Sequence, residues 1–313
     1  MRMRLTHPSG LYILFFTEMW ERFSFYGMRA LLVLYMTKVF LFSDHVAFGV
    51  YGAYLALVYT TPVLGGFLAD RILGFKRAIY LGGILIMCGH VCLSLTDTSF
   101  FYLGLSFIIA GTGFFKSSIS SLVGELYAQN DPRRDSGFTL FYMGINIGAL
   151  LATLSCGFIA EAYGWHYGFG LAAIGMLLGL INFALGQPHL ATVGSAPEQN
   201  AVTRPRLFRF NIQHGIILAS FASVWLFSLL LQHEVIVGYL LLLTGIGSTL
   251  IIICLALSSP TTQRSNLFTL LLLFLLSIVF FSLFEQAGSS LTLFTERSID
   301  RSLFNWSIAA WPE

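Results

Sequence analysis

Four ionisable residues crowd an otherwise apolar stretch, Glu18-Met-Trp-Glu21-Arg22-Phe-Ser-Phe-Tyr26-Gly27-Met-Arg29. The surrounding apolar run, from Leu11 to about Phe40, is long enough to span a membrane. An ionised group near the middle of such a span costs roughly 2.5 to 3.5 kcal/mol. At ~100° per residue, Glu18, Arg22 and Arg29 fall within about 40° of one another, with Phe25 beside them and Glu21 and Tyr26 flanking. That side of the helix cannot face lipid. It is expected to line a polar cavity and to find its partners on other helices.

Three further apolar segments carry polar groups. Lys116 follows Gly111-Thr-Gly113-Phe-Phe, and a carboxylate or an anionic ligand would relieve its charge. Asn146 stands in Phe141-Tyr-Met-Gly-Ile-Asn146-Ile-Gly, where an interhelical hydrogen bond would explain it as well as a ligand would. Glu285 and Gln286 lie in Leu283-Phe-Glu285-Gln286-Ala-Gly-Ser-Ser. Buried pairs that fix helix packing are one reading of Glu18, Glu21, Arg22, Arg29, Lys116 and Glu285. Six ionisable groups on three spans exceed what packing requires, so a functional polar cavity is the stronger one. No nucleophile–base pair or metal cluster is visible, and an enzyme is not expected.

The elements that hold these groups follow from hydropathy. The 313 residues are 56% hydrophobic and 10% charged, with mean hydropathy +0.78. Soluble domains carry about 25% charged residues, so this is an all-α polytopic membrane protein. A net charge of +2 gives no reason to expect nucleic acid. Spans are expected at 11–40, 46–69, 78–96, 99–124, 137–161, 168–187, 213–232, 235–257 and 266–295. The Pro- and Arg-containing stretch 188–212 reads as a cytoplasmic linker that separates residues 1–187 from 213–257 and 258–313. The N-terminal Met-Arg-Met-Arg resembles the start of a signal peptide, but the charged, overlong run after it is read as a retained helix.

With the N-terminus in the cytoplasm, Arg2, Arg4, Arg71, Lys76, Arg77, Arg133, Arg134, Arg204, Arg206, Arg209 and Arg264 fall inside. Only Lys38, Arg297 and Arg301 fall outside, which sets the orientation. Gly144 with Gly148, and Gly175 with Gly179, are spaced for close helix packing. Pro62 is expected to kink the second span. His90, His166, His214 and His233 read as interfacial, and Cys88, Cys92, Cys156 and Cys254 as buried structural thiols. Asp70, in Asp70-Arg71-Ile-Leu-Gly74-Phe-Lys76-Arg77, sits in either a generic basic turn or one where it caps a neighbouring helix.

Taken together these motifs resemble the proton-dependent oligopeptide transporter family of the major facilitator superfamily. Glu18-x-x-Glu21-Arg22-Phe with Phe25-Tyr26-Gly27 is similar to the family's helix 1 signature. Gly65-Gly66-Phe-Leu-Ala-Asp70-Arg71 is similar to the superfamily's helix 2–3 loop. Gly111-Thr-Gly-Phe-Phe-Lys116, Phe141 to Ala149, and Phe284-Glu285-Gln286-Ala-Gly-Ser-Ser resemble its helices 4, 5 and 7. The resemblance implies a six-helix N-terminal bundle, two inserted helices at 213–232 and 235–257, and the first helix of a C-terminal half.

It also implies roles. Arg22 and Lys116, helped by Tyr26, would bind a peptide carboxylate, and Asn146 would contact the peptide backbone or amino end. Glu18 and Glu21 would couple protons by pairing with Lys116 or Arg22. Arg29 would form a gate ion pair with Glu285. The implied function is symport of protons with di- and tripeptides across a bacterial-type inner membrane. It needs no cofactor besides the proton, no metal and no obligate protein partner. Phe25 replaces a tyrosine of the family pattern, and Ser117 stands where a proline is frequent. The sequence ends at Glu313, where the resemblance implies further helices, so it reads as truncated. An inactive membrane remnant and a carrier of another small solute are the alternatives.

Overall fold

The structure, a computed structural model, describes residues 6–195 and 212–299 and the pairs 302–303 and 306–307. Arg2, Arg4, Arg204, Arg206, Arg209, Arg301 and the stretch from Ile308 to Glu313 lie outside the described residues. The long helices are α1 (Ser9–Lys38), α2 (Asp44–Leu68), α3 (Phe75–Leu93), α4 (Thr98–Glu125), α5 (Arg134–Tyr163), α6 (Trp165–Leu185), α7 (Ile212–Gln232), α8 (Glu234–Ser258) and α9 (Thr261–Phe284). A short α10 (Ser290–Ser298) follows, then a two-residue antiparallel pairing of Ser302–Leu303 with Trp306–Ser307. Among the described residues, eight helical segments are long and apolar enough to cross a membrane. The apolar run of α1 is instead broken by Glu18, Glu21, Arg22 and Arg29. The chain is an all-α, multi-pass membrane protein.

The expected spans fall on these helices, with one correction. The segment 266–295 is not a single helix: α9 ends at Phe284, Glu285–Gly288 form a 3₁₀ turn, and α10 starts afresh at Ser290. Elsewhere, side chains start the helices where the backbone needs partners. Asp97 accepts the Ser99 N–H at 2.7 Å at the start of α4. Gly74, at φ 78°, turns the chain between a π-helical turn (Ala69–Leu73) and α3.

α1 is the axis of the bundle. It packs against α5 and α6, and α3, α4 and α2 continue the ring from α6 back to α1. Gly144 and Gly148 of α5 lie on the backbone of α1: a methyl group at Gly144 would sit 3.0 Å from the Phe15 carbonyl oxygen, and one at Gly148 would strike that of Met19. Gly175 and Gly179 of α6 seat Phe23 and Trp20. Asn182 donates to the Ile13 carbonyl at 2.8 Å and to Thr17 Oγ1 at 2.7 Å. α1 is therefore clasped on two sides by small residues, which suits helices that lipid gives no hydrophobic reason to associate. Gly148→Leu is expected to destabilise the bundle by about 1–3 kcal/mol or more. Gly170→Leu, where an added carbon meets nothing within 4 Å, is the control in thermal unfolding of the detergent-solubilised protein.

Several expectations need correction. His90 is not interfacial: it is fully buried on α3, and neither ring nitrogen has a partner. Of the four thiols only Cys156 is buried, pressed against Gly27, while Cys88 and Cys92 are half-buried and Cys254 is exposed. Of the two readings of Asp70 the generic basic turn fits: among the described residues it caps no helix, and it lies 3.6 Å from the adjacent exposed Arg71. α2 continues through Pro62 to Leu68, so the kink expected at that proline would fall within one helix.

Residues 188–195 are docked, although they fall in the expected linker. Leu190 is fully buried, and Gly194 donates to Glu125 Oε2 at 2.6 Å. At the same end of the bundle, Arg133 donates to the Thr6 carbonyl at 2.6 Å and His7 bonds to the Tyr127 hydroxyl at 2.8 Å, which ties the segment before α1 to the α4–α5 turn. Hydrogen bonds from Arg133 hold the Asp131 carboxyl in that turn down to about 2.

Candidate functional site

The clasp around α1 fixes a buried charge cluster. Glu18, Glu21 and Arg22 are 3%, 0% and 5% exposed. Arg22 Nε lies 3.0 Å from Glu18 Oε1 and 2.5 Å from Glu21 Oε2. These are charge contacts without hydrogen-bond alignment. Glu18 Oε2, both Glu21 oxygens, and Arg22 Nε and Nη2 are buried without an aligned partner. The expectation that this stripe finds partners on other helices is therefore corrected for Arg22. Its carboxylates are its own neighbours: Glu18 lies one helical turn back, where helix geometry places it on the same face, and Glu21 is the residue before. Phe25 covers the guanidinium, with Arg22 Cζ 5.3 Å from the ring centre.

Two acids sharing one arginine leave the cluster formally one charge negative. Removing the arginine would leave both acids uncompensated. Arg22→Ala is thus expected to destabilise the protein by about 3–5 kcal/mol, and Glu18→Gln/Glu21→Gln in the same background should recover much of the loss in thermal unfolding.

Lys116 is not ion-paired: among the described residues no carboxylate lies within 4.0 Å of it. Its Nζ sits 4.4 Å above the Tyr59 ring. It remains in electrostatic range of Glu18, Glu21, Arg22 and Glu285. Tyr59 in turn donates to Glu285 Oε1 at 3.4 Å. Glu285 Oε2 accepts from Arg29 Nη2 at 2.7 Å, and Arg29 Nε donates to the Tyr51 hydroxyl at 2.8 Å. The 3₁₀ turn after α9 brings Glu285 to this point. Gly288 permits the approach, because a side chain there would collide with Tyr51 and Arg29. Lys38 with Glu296, and Arg297 with Asp44 at 2.7 Å, join α10 to the same ends of α1 and α2.

The sequence-derived residues thus fall into a connected set and an outlier. Glu18, Glu21, Arg22, Lys116, Glu285 and Arg29 are linked through α1, α2, α4 and the α9–α10 turn. Tyr26 and Arg29 border a small cavity of about 140 Å³ with Thr153 and Phe284. Asn146 stands apart: it is exposed, and its amide donates to the Tyr142 carbonyl of its own helix at 3.0 Å. Sequence reasoning missed Tyr51 and Tyr59, which join the parts. The available signal was hydroxyl-bearing rings in mid-span of α2, eight residues apart and hence on neighbouring sides of the helix. A separate cavity of about 580 Å³ between α2, α4 and α7 is lined by none of the charged residues.

Residues 76–311 match the POT family (PTR2). The chain is 37% identical to the uncharacterised transporter YclF of Bacillus subtilis, over 97% of this chain and 64% of that one. It is 35% identical to dipeptide and tripeptide permease A of Chromobacterium violaceum, over 96% of this chain and 60% of that one. Among solved structures, a mutant of peptide transporter POT in complex with alafosfalin superposes with a TM-score of 0.83 at 36% identity, covering 99% of this chain and 65% of that one. The chain therefore spans about 60–65% of the length of these relatives.

Proposed function

Because the chain belongs to the POT family, we propose that it serves proton-coupled symport of di- and tripeptides across a bacterial inner membrane, with its N-terminus in the cytoplasm. The observation that carries this reading is the buried Glu18–Arg22–Glu21 cluster beside Lys116, in which Glu18 Oε2 and both Glu21 oxygens lack aligned hydrogen bonds. A proton on Glu18 or Glu21 loosens its hold on Arg22. A peptide carboxylate then meets two cations, Arg22 and Lys116, in a site shielded from water, where charge pairing is strong. Binding of the anion is favoured when an acid of the cluster is neutral, so proton and peptide load together. Tyr26 would border this route, and Asn146, exposed on α5, would contact the peptide's backbone or amino end.

Release of the gate follows the same logic. Arg29 is held by Glu285 and Tyr51. Protonating Glu285 removes the counter-charge and frees the α9–α10 turn from α1. Alternating access rocks one half of such a carrier against the other around a midplane site. The chemistry is charge exchange, not bond-making, so the reading includes no enzymatic step, cofactor or metal. The peptide and the bilayer are its partners. The alafosfalin complex of the POT relative supports a peptide-like ligand.

A second reading, a membrane protein that keeps the cluster without transporting, is favoured by one observation: no described side chain of α9 is buried. Purified protein in vesicles separates the two. Under an inward proton gradient, labelled dialanine should accumulate and a protonophore should abolish the accumulation. Uptake equal to that of empty vesicles supports the second reading.

A further inference from the structure

The cavity of about 580 Å³ between α2, α4 and α7 plays no part in the charge cluster. It has the size of a ligand site, about 300–1,000 Å³. Its walls are apolar, with Leu64, Leu68, Phe114, Ile216, Ala219 and Phe227 prominent among them. The three hydroxyls that line it already donate to backbone carbonyls: Thr61 to Ile109 at 3.1 Å, Ser220 to Ile217 at 2.7 Å and Ser223 to Ser220 at 2.8 Å. The walls thus offer no unused side-chain donor, and such a space favours hydrocarbon over water. Leu64 is 68% exposed on its rim, so the crevice opens sideways between membrane-spanning helices.

One end of the crevice is cationic. Arg71 lies three residues beyond Leu68 and is spread over the Phe67 ring, its Cζ 5.6 Å from the centre. Arg77, at the start of α3, donates to Gln213 Oε1 at 2.7 Å, next to the lining residue Ile212. Asp70, 3.6 Å from Arg71, is the opposing charge there.

We propose that this crevice binds one anionic phospholipid, with an acyl chain between α2, α4 and α7 and the headgroup phosphate at Arg71 and Arg77. The lipid joins α7 to the six-helix bundle along a seam that side chains leave unfilled. Charge complementarity selects the headgroup, and the apolar, laterally open walls select the tail. An exposed basic residue near a membrane surface favours an anionic lipid roughly five-fold.

Native mass spectrometry of the delipidated full chain tests this. Palmitoyl-oleoyl phosphatidylglycerol and phosphatidylcholine with the same tails are added separately. The expected result is one retained phosphatidylglycerol per chain, favoured over phosphatidylcholine by at least about five-fold, with a raised melting temperature. Gly215→Phe adds bulk where an added carbon meets nothing within 4 Å, and it should abolish retention of both lipids. Ala219→Phe, one turn on, is the second plug should the first fail to fold. Arg71→Gln/Arg77→Gln should erase the headgroup preference and leave tail binding. Equal retention of the two lipids by the unmodified chain overturns the proposal, as does retention unchanged in a folded plug variant.

Discussion

Lys116→Ala is expected to abolish proton-driven dipeptide uptake and to weaken dipeptide binding about 10- to 150-fold, the range for losing a hydrogen bond to a charged group. The reason lies in how the cations are distributed. Arg22 is already held by Glu18 and Glu21, and Arg29 by Glu285 and Tyr51. Lys116 rests on an aromatic ring without a carboxylate in pairing distance. It is the cation of the cluster that an arriving carboxylate can engage without breaking an ion pair. Removing it should change melting temperature little, since no buried acid loses a direct partner. Lys116→Arg, which keeps the charge, should restore part of the binding. Dipeptide binding to the purified protein by calorimetry, beside uptake in vesicles, separates loss of the ligand site from loss of coupling.

Glu285→Gln is expected to eliminate gradient-driven accumulation while leaving exchange of labelled for unlabelled dipeptide measurable. The amide imitates the protonated acid: it keeps the Tyr59 and Arg29 contacts possible but removes the charge that holds Arg29. The gate then opens without waiting for a proton, and the gradient no longer does work. A double-mutant cycle of Arg29→Gln and Glu285→Gln should give a coupling energy of about 1–3 kcal/mol in thermal unfolding. The pair is mostly buried, its side chains 10% and 20% exposed, which places it above a surface salt bridge. Coupling near zero would mean that the contact does not hold the turn closed.

The charged residues were legible because apolar runs make them conspicuous. A carboxylate or an arginine inside a span is rare enough to be read directly, and α1, Lys116 and Glu285 were found that way. Their pairing was less legible. Whether Arg22 reaches across to another helix or back to Glu18 depends on rotamers, and the local solution prevailed because Glu18 is one turn away. Tyr51 and Tyr59 were hidden by being aromatic in an aromatic-rich chain, where a hydroxyl inside a span does not alter hydropathy much. The break at Glu285–Gly288 was hidden differently: Leu291, Leu293 and Phe294 bring apolar residues back after it, so hydropathy alone carried the span onward. His90 shows the converse error. A histidine near a helix end suggests an interface, yet the close contact of Gly89 with Gly104 draws that part of α3 into α4, and the ring is buried with it.

Glycine spacing foretold the packing around α1 because it is a pairwise steric rule. It could not foretell the seam beside α7, which exists only where three helices fail to fill the space between them. The spans, the helix order and the charged positions are therefore properties of sequence, while the junctions between helices are properties of the assembled bundle.

The central claim, that peptide and proton move together through the α1 cluster, is tested most directly by proton flux. The purified chain is reconstituted into vesicles containing a pH-sensitive dye, at equal pH on both sides, and dialanine is added outside with an inward-negative potential. Acidification of the lumen that requires dialanine, and that Glu21→Gln removes, is the predicted result. Dialanine-dependent acidification no greater than in protein-free vesicles would contradict it.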